Sequence, residues 1–296
     1  MAETLIQLVG SMNNILVDIS GKLPDGLVLL YKKIYNCARA LNIPCLVVGA
    51  MARDLVLVHG YGARIERGTR DVDFGIYIHS WQQFCILKQS LLDLGFTPHR
   101  SKIHQLLTLD TEGLPWEIDI IPFGPIAQQD KIHWPPKQEI EMSVLGFTEA
   151  YEHALSVRIS KNPDLQISVA SPAGMLLLKL ISWQEREPVL RTKDAADIYY
   201  LLKHYVKIPM VFNAVYDDGF MEIQNWDETR ASAMKLASDA RQLASKATLF
   251  YLQQHMFKQD DLVQALTVDM TRSTTASFEE CSEYITIVGN ELIQKG

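Results

Sequence analysis

The sequence predicts an α+β fold: a mixed sheet with flanking helices over residues 1–170, then a mostly helical region over residues 171–296. Two observations carry this. Short apolar runs bounded by Gly, Pro and polar turns alternate with helical patterns up to about residue 170. After Pro172 helical periodicity dominates.

The elements follow in order. Two helical patterns open the chain, over roughly 3–20 and 26–41, and Pro44 stops the second. CLVV, residues 45–48, is a short buried strand, and Gly49 turns the chain into a helix that ends near Gly60. A loop rich in Gly and Arg, YGARIERGTR, leads into the strand DVDFGIYI. A helix over about 81–94 closes at Gly95. IHQLLTLD and PWEIDIIPFG, joined by TEGL, read as a hairpin. The three prolines of residues 125–142 predict a loop or an extended excursion, and ALSVRIS and LQISVA are strands. Helices are expected over about 172–186, 192–206, 228–258 and 276–294.

Composition sets bounds. With 296 residues, 48% hydrophobic and 21% charged, the chain can bury a sizeable core as one large or two ordinary domains. Its longest apolar runs, such as GMLLLKLISW, meet charge before the ~20 residues that a membrane span needs. MAETLIQLVGSMNNILVDISGK has no basic n-region and no clear cleavage site, so it does not read as a signal peptide. Four cysteines without a CxxC pair argue against a zinc or disulfide framework and predict a reducing, cytoplasmic setting. A net charge of -7 argues against nonspecific coating of nucleic acid but leaves room for a local basic patch.

The chemistry concentrates on carboxylates. Side chains alternate faces along a strand, so Asp71 and Asp73 point the same way while Val72 and Phe74 point the other. Two like charges so close raise each other's pKa, a cost that a cation between them removes. Mg²⁺ suits such a pair, being a hard ion usually held by carboxylates, phosphate oxygens and water. Asp119 lies mid-strand among apolar residues, with Glu117 on its face. Two readings are open: it pairs with a base such as Arg70, or it joins Asp71 and Asp73 from a neighbouring strand. Three carboxylates so placed can hold two divalent ions that clamp the attacking and leaving oxygens of a phosphoryl displacement. Upstream, CLVVGAMARD is strand, glycine and helix, which turns free N–H groups toward a common point where an anion can sit.

Together these parts resemble the nucleotidyltransferase superfamily that includes DNA polymerase beta. Its pattern is a strand, a Gly-Gly or Gly-Ser turn opening a helix, DxD on the next strand and a third carboxylate later. Here these are Gly49-Ala50, Asp71-Val72-Asp73 and Asp119. SPAGMLLLKLISWQEREPVLRTKDAADIYYLL is similar to the abortive-infection toxins of the AbiEii/AbiGii type, in which a lysine and an arginine precede a KDxxD helix. The matching residues are Lys179, Arg186, Lys193, Asp194 and Asp197. On a helix, positions 193, 194 and 197 are near neighbours. The resemblance covers about residues 45–205. Ala50 departs from the usual Gly or Ser, removing a hydroxyl contact, and the stretch from Ala50 to Asp71 is longer than in minimal versions.

The resemblance implies Mg²⁺-dependent transfer of a nucleoside monophosphate from an NTP. Asp71, Asp73 and Asp119 would hold two Mg²⁺ ions, and Asp119 would take the acceptor proton. Gly49, Ala50, Arg53, Lys179 and Arg186 are assigned to the nucleotide, and Lys193 and Asp194 join the catalytic set. Arg64, Arg67 and Arg70 read either as a phosphate-binding loop or as a solvated one. The expected acceptor is RNA, the 3′ end of a tRNA above all, with a cognate antitoxin as a further partner and a role in phage defence. Two alternatives remain: transfer to a protein or small molecule, and a catalytically silent nucleotide- or partner-binding protein.

Overall fold

The computed structural model describes residues 16–136 and 140–293. Two compact units divide the chain, one running to Gly60 and over Arg64–Ala170, the other comprising Tyr61–Ala63 and the chain from Ser171 onward. The fold is α+β, with an eight-stranded mixed sheet.

In the first unit the strands are β1 (Leu16–Asp18), β2 (Cys45–Val48), β3 (Asp71–Tyr77), β4 (Thr97–Pro98), β5 (Gln105–Leu109) and β6 (Pro115–Phe123), then β9 (Leu155–Lys161) and β10 (Asp164–Val169). Their spatial order is β1-β9-β10-β2-β3-β6-β5-β4. β2 and β3 run antiparallel, β3 and β6 parallel, and β5 and β6 antiparallel. The centre of the sheet is apolar because Val47, Val72, Phe74, Ile118 and Ile120 are buried.

Helix α1 (Asp25–Ala40) buries Leu27, Leu30, Tyr31, Ile34, Tyr35 and Ala38, a one-sided stripe at helical spacing. The rings of Tyr31 and Tyr35 meet Phe74 edge-on at 5.9 and 6.2 Å. The Tyr35 hydroxyl donates to the Ser168 carbonyl at 3.0 Å, tying the helix to β10. Phe74 thus takes α1 on its face of β3, and strand alternation turns Asp71 and Asp73 to the other. Farther along that second face, the ring of Tyr77 stacks on Tyr151 of α4 (Phe147–Glu152) and meets Phe123 edge-on. Helix α2 (Gly49–Arg53) leaves β2 directly and continues as a π-helical stretch over Asp54–Gly60. Helix α3 (Trp81–Asp93) begins at Ser80, whose hydroxyl accepts from the Gln83 N–H.

The second unit is helical: α5 (Pro172–Glu185), α6 (Thr192–His204), α7 (Pro209–Asp217), α8 (Phe220–Ile223), α9 (Glu228–Leu243), α10 (Lys246–Leu252), α11 (Asp260–Ser273) and α12 (Phe278–Ile293). Helix α9 packs on α5, α6 and α12, and α11 packs on α6. Trp183 anchors this core, fully buried, its indole N–H donating to Asp269 at 3.0 Å and the Arg191 guanidinium 4.7 Å over its ring. No helix among the described residues is long and apolar enough to cross a membrane.

Several sequence expectations need correction. Most of the helix expected over 3–20 lies outside the described residues, but Leu16–Asp18 is a strand paired with β9. Val17 and Ile19 are buried while Leu16 and Asp18 are not, a period of two that the longer helical pattern masked. The loop or extended excursion expected over 125–142 contains a strand pair, β7 (Lys131–Trp134) with β8 (Ile140–Ser143). Two of its three prolines, Pro135 and Pro136, follow the strand, and buried Trp134 packs 5.1 Å from Trp81 and 5.5 Å from Phe84. The single helix expected over 228–258 breaks at Ala244, and the Ser245 hydroxyl caps the next helix by accepting from the Thr248 N–H. Helices α4, α7, α8 and α11 were not expected, the first inside an unassigned segment and the others too short or too polar to stand out.

Candidate active site

The site in the first unit rests on a register. Val48 pairs with Asp73, Asp73 with Asp119, and Asp119 with Gln105, one row across β2, β3, β6 and β5. One step back along β3, Asp71 is the partner of Glu117. Residues paired across neighbouring strands share a face, with strands about 4.8 Å apart, so the four carboxylates form a patch two strands wide. Asp71 and Glu117 are exposed, whereas Asp73 and Asp119 are half-buried.

Gly49 brings the turn against this patch. Its φ is +72°, the left-handed region that glycine enters freely. A Cβ there would lie 2.0 Å from Asp73 Oδ2 and 2.9 Å from its Cγ. The absence of a side chain therefore lets the Asp73 carboxylate rest on the backbone at the start of α2. Ala50 is buried. Arg53, 3% exposed, is engaged within the unit: its guanidinium pairs with Asp54 at 2.7 Å and reaches the Arg67 carbonyl at 3.4 Å.

Asp119 and Glu117 share one donor. The Gln105 amide nitrogen gives a hydrogen bond to Asp119 Oδ1 at 2.9 Å and to Glu117 Oε2 at 3.0 Å. Asp119 is thus not the partner of Arg70, which instead sits 3.8 Å from Asp110 and over the Trp116 ring. Beside this row, burial pushes the His104 imidazole below its ordinary pKa, against the pull of the Asp119 charge. Burial, reinforced by the charges of Asp73 and Asp54, pushes the Tyr31 phenol well up.

A metal fits this patch by chemistry: every donor is a carboxylate oxygen, the choice of Mg²⁺, and Asp73 and Asp119 are cross-strand neighbours. Among the described residues, no three His, Cys, Asp or Glu side chains are gathered closely enough to hold an ion. The backbone sets the pairing of the strands that carry these carboxylates.

The second unit carries its own charged cluster. Lys179 bridges Asp194 at 2.9 Å and Asp197 at 2.7 Å, and Arg186 reaches the second oxygen of Asp194 at 2.9 Å. Both aspartates are about 1% exposed, so the cluster is largely buried. Burial alone would lower the Lys179 pKa, but the two carboxylates outweigh it and hold it above its ordinary value. Lys193, by contrast, is exposed, so the near neighbours of the KDxxD helix divide between core and solvent.

Sequence reasoning missed Gln105. The signal was available: pairing the strands back from the TEGL turn sets Gln105 opposite Asp119.

Comparison with known families gives a match to the nucleotidyl transferase AbiEii toxin, Type IV TA system, over residues 35–279. No curated protein matches. Among solved structures, the chain is similar to the antibiotic-resistance factor ANT(2'')-Ia, at 15% identity over 67% of this chain and 95% of that one, with a TM-score of 0.37. It is also similar to the Thermotoga maritima CCA-adding enzyme complexed with tRNA, at 10% identity over 92% and 82%, with a TM-score of 0.25. Scores this low carry no functional weight.

Two outcomes follow from the geometry. Gly49→Ala should cost about 1–3 kcal/mol in denaturant unfolding, from a left-handed alanine that also displaces a carboxylate. In an Asp73→Ala background the cost should fall, because only the backbone strain remains. Lys179→Met should cost about 3–5 kcal/mol by leaving two buried carboxylates without their shared cation. A loss below about 1 kcal/mol would show that the cluster is solvated.

Proposed function

The chain belongs to the AbiEii nucleotidyl transferase toxin family, and on that premise we propose that it moves a nucleoside monophosphate from an NTP to an RNA hydroxyl, with Mg²⁺ held by Asp71, Asp73 and Asp119. The observation that carries this reading is the row that aligns Asp73 with Asp119 beside the Gly49 turn.

A bond forms between the acceptor oxygen and the α-phosphorus, the bond to the bridging oxygen of pyrophosphate breaks, and the hydroxyl proton passes to Asp119. Bound Mg²⁺, in two ions, supplies neutralisation of the triphosphate charge and a lowered pKa at the acceptor hydroxyl. Asp71 and Asp73 orient the triphosphate end of the site. In this reading the Gly49-Ala50 turn lies at the triphosphate end, and the missing Cβ of Gly49 leaves room for the Asp73 carboxylate.

Arg53 serves this site from behind by fixing Asp54 and the Arg67 backbone. In the second unit, Lys193 is exposed on α6. Lys179, Arg186 and Asp194 act as a charged support for the helix that presents it.

The acceptor we favour is the 3′ end of a tRNA, whose modification blocks translation and so accounts for toxicity. An enzyme that meets one RNA end needs few phosphate contacts, which a chain of net charge -7 can provide locally. A cytoplasmic role in phage defence and a cognate antitoxin complete this reading.

A labelling assay tests it. The protein and an Asp71→Ala/Asp73→Ala variant are incubated with Mg²⁺, each α-labelled NTP, total RNA and cell extract. Label in tRNA with the unmodified protein alone is the expected result. Label in protein or in a small hydroxylated compound overturns the acceptor. Equal labelling by the variant overturns the carboxylate assignment.

A further inference from the structure

Gln105 stands out as a buried polar side chain whose partners are all at the candidate site. It is 3% exposed, at the start of β5, in a run that is otherwise mostly apolar. Its amide nitrogen spends both hydrogens on carboxylates, Asp119 Oδ1 at 2.9 Å and Glu117 Oε2 at 3.0 Å. Its carbonyl oxygen is buried and accepts no hydrogen bond from the described residues. The amide therefore has one tenable orientation, since a flip would set the carbonyl oxygen against two carboxylate oxygens. The backbone fixes where it stands, because Gln105 is the register partner of Asp119.

We propose that Gln105 is the positioning residue for the third carboxylate: it holds Asp119 and Glu117 side by side and aims the free oxygen of Asp119 at the metal. This rests on the metal-site reading above.

A neutral donor suits the task. A lysine here would neutralise the pair and compete with the cation, and an apolar residue would leave two neighbouring carboxylates to repel each other. An amide supplies one hydrogen to each and no charge. A donor one bond away from a ligand oxygen orients that ligand, and losing it typically costs about 10- to 100-fold in metal affinity or activity. Glu117 is held by the same amide, so its separation from Asp119 is set by one group rather than by two independent contacts.

The test uses the full chain and Mn²⁺ as the probe, with free ion followed by electron paramagnetic resonance and fold by circular dichroism. Gln105→Met keeps the volume and removes the donor. It should weaken Mn²⁺ binding and kcat by about 10- to 100-fold, with the NTP KM changed less than about threefold and the fold intact. Gln105→Asn keeps a buried amide about one methylene short and should fall in the same direction, which preserves the test if the methionine variant does not fold. Asp119→Asn is the control. Loss of Mn²⁺ binding in Asp119→Asn but not in a folded Gln105 variant overturns this inference alone. Failure of the unmodified chain to bind Mn²⁺ overturns the metal reading and this inference with it.

Discussion

The parallel pairing of β3 with β6 is the constraint on which the site depends. It sets Asp73 beside Asp119 and Asp71 beside Glu117. A slip of one residue in either strand would send its carboxylates into the face that α1 covers and bring Val72 or Ile118 out. That register is held from the apolar side: Val72, Phe74, Ile118 and Ile120 are buried, and Tyr31 and Tyr35 close on Phe74. The hydrophobic core thus places the charges. Like charges in this arrangement repel, so the patch is a local strain that the fold tolerates because Asp71 and Glu117 stay in solvent and Gln105 offsets part of the rest.

The surroundings follow from that patch. Gly49 has no side chain because the Asp73 carboxylate occupies the space that one would need. Behind the turn, buried Arg53 pairs with its neighbour Asp54 and reaches the Arg67 carbonyl, which ties the end of α2 to the loop before β3. The helical unit spends its charges differently. Lys179 of α5 and Asp194 and Asp197 of α6 lie inside the unit and pair with each other across the two helices. The same residue types act as an accessible patch in one unit and as internal struts in the other, and burial separates the two.

Much of this was legible in the sequence. Strong periodicity and clear stops located α1, β2, β3, α3, the β5–β6 hairpin, α5 and α6. Strand alternation placed Asp71 and Asp73 on one face, and the mid-strand position of Asp119 marked it as costly unless partnered. What stayed hidden depended on pairing between distant segments. Leu16–Asp18 is a strand because Ser156–Arg158 lies beside it. The β7–β8 pair lies in a proline-containing stretch whose order comes from Trp81 and Phe84 of a helix far away in sequence. The burial of Lys179 could not be read from its helix, since a lysine followed by acids looks the same on a surface and in a core. Gln105 escaped because a lone glutamine has no motif, and its meaning appears only across the hairpin.

The most direct test of the central claim is to locate the ion. Crystals of the full chain with Mn²⁺ and a non-hydrolysable NTP would be measured for anomalous scattering. The expected result is a peak held jointly by carboxylate oxygens of Asp73 and Asp119, with the triphosphate on the Gly49 side. Bound nucleotide with Mn²⁺ held elsewhere, and neither carboxylate within coordination reach of it, would contradict it.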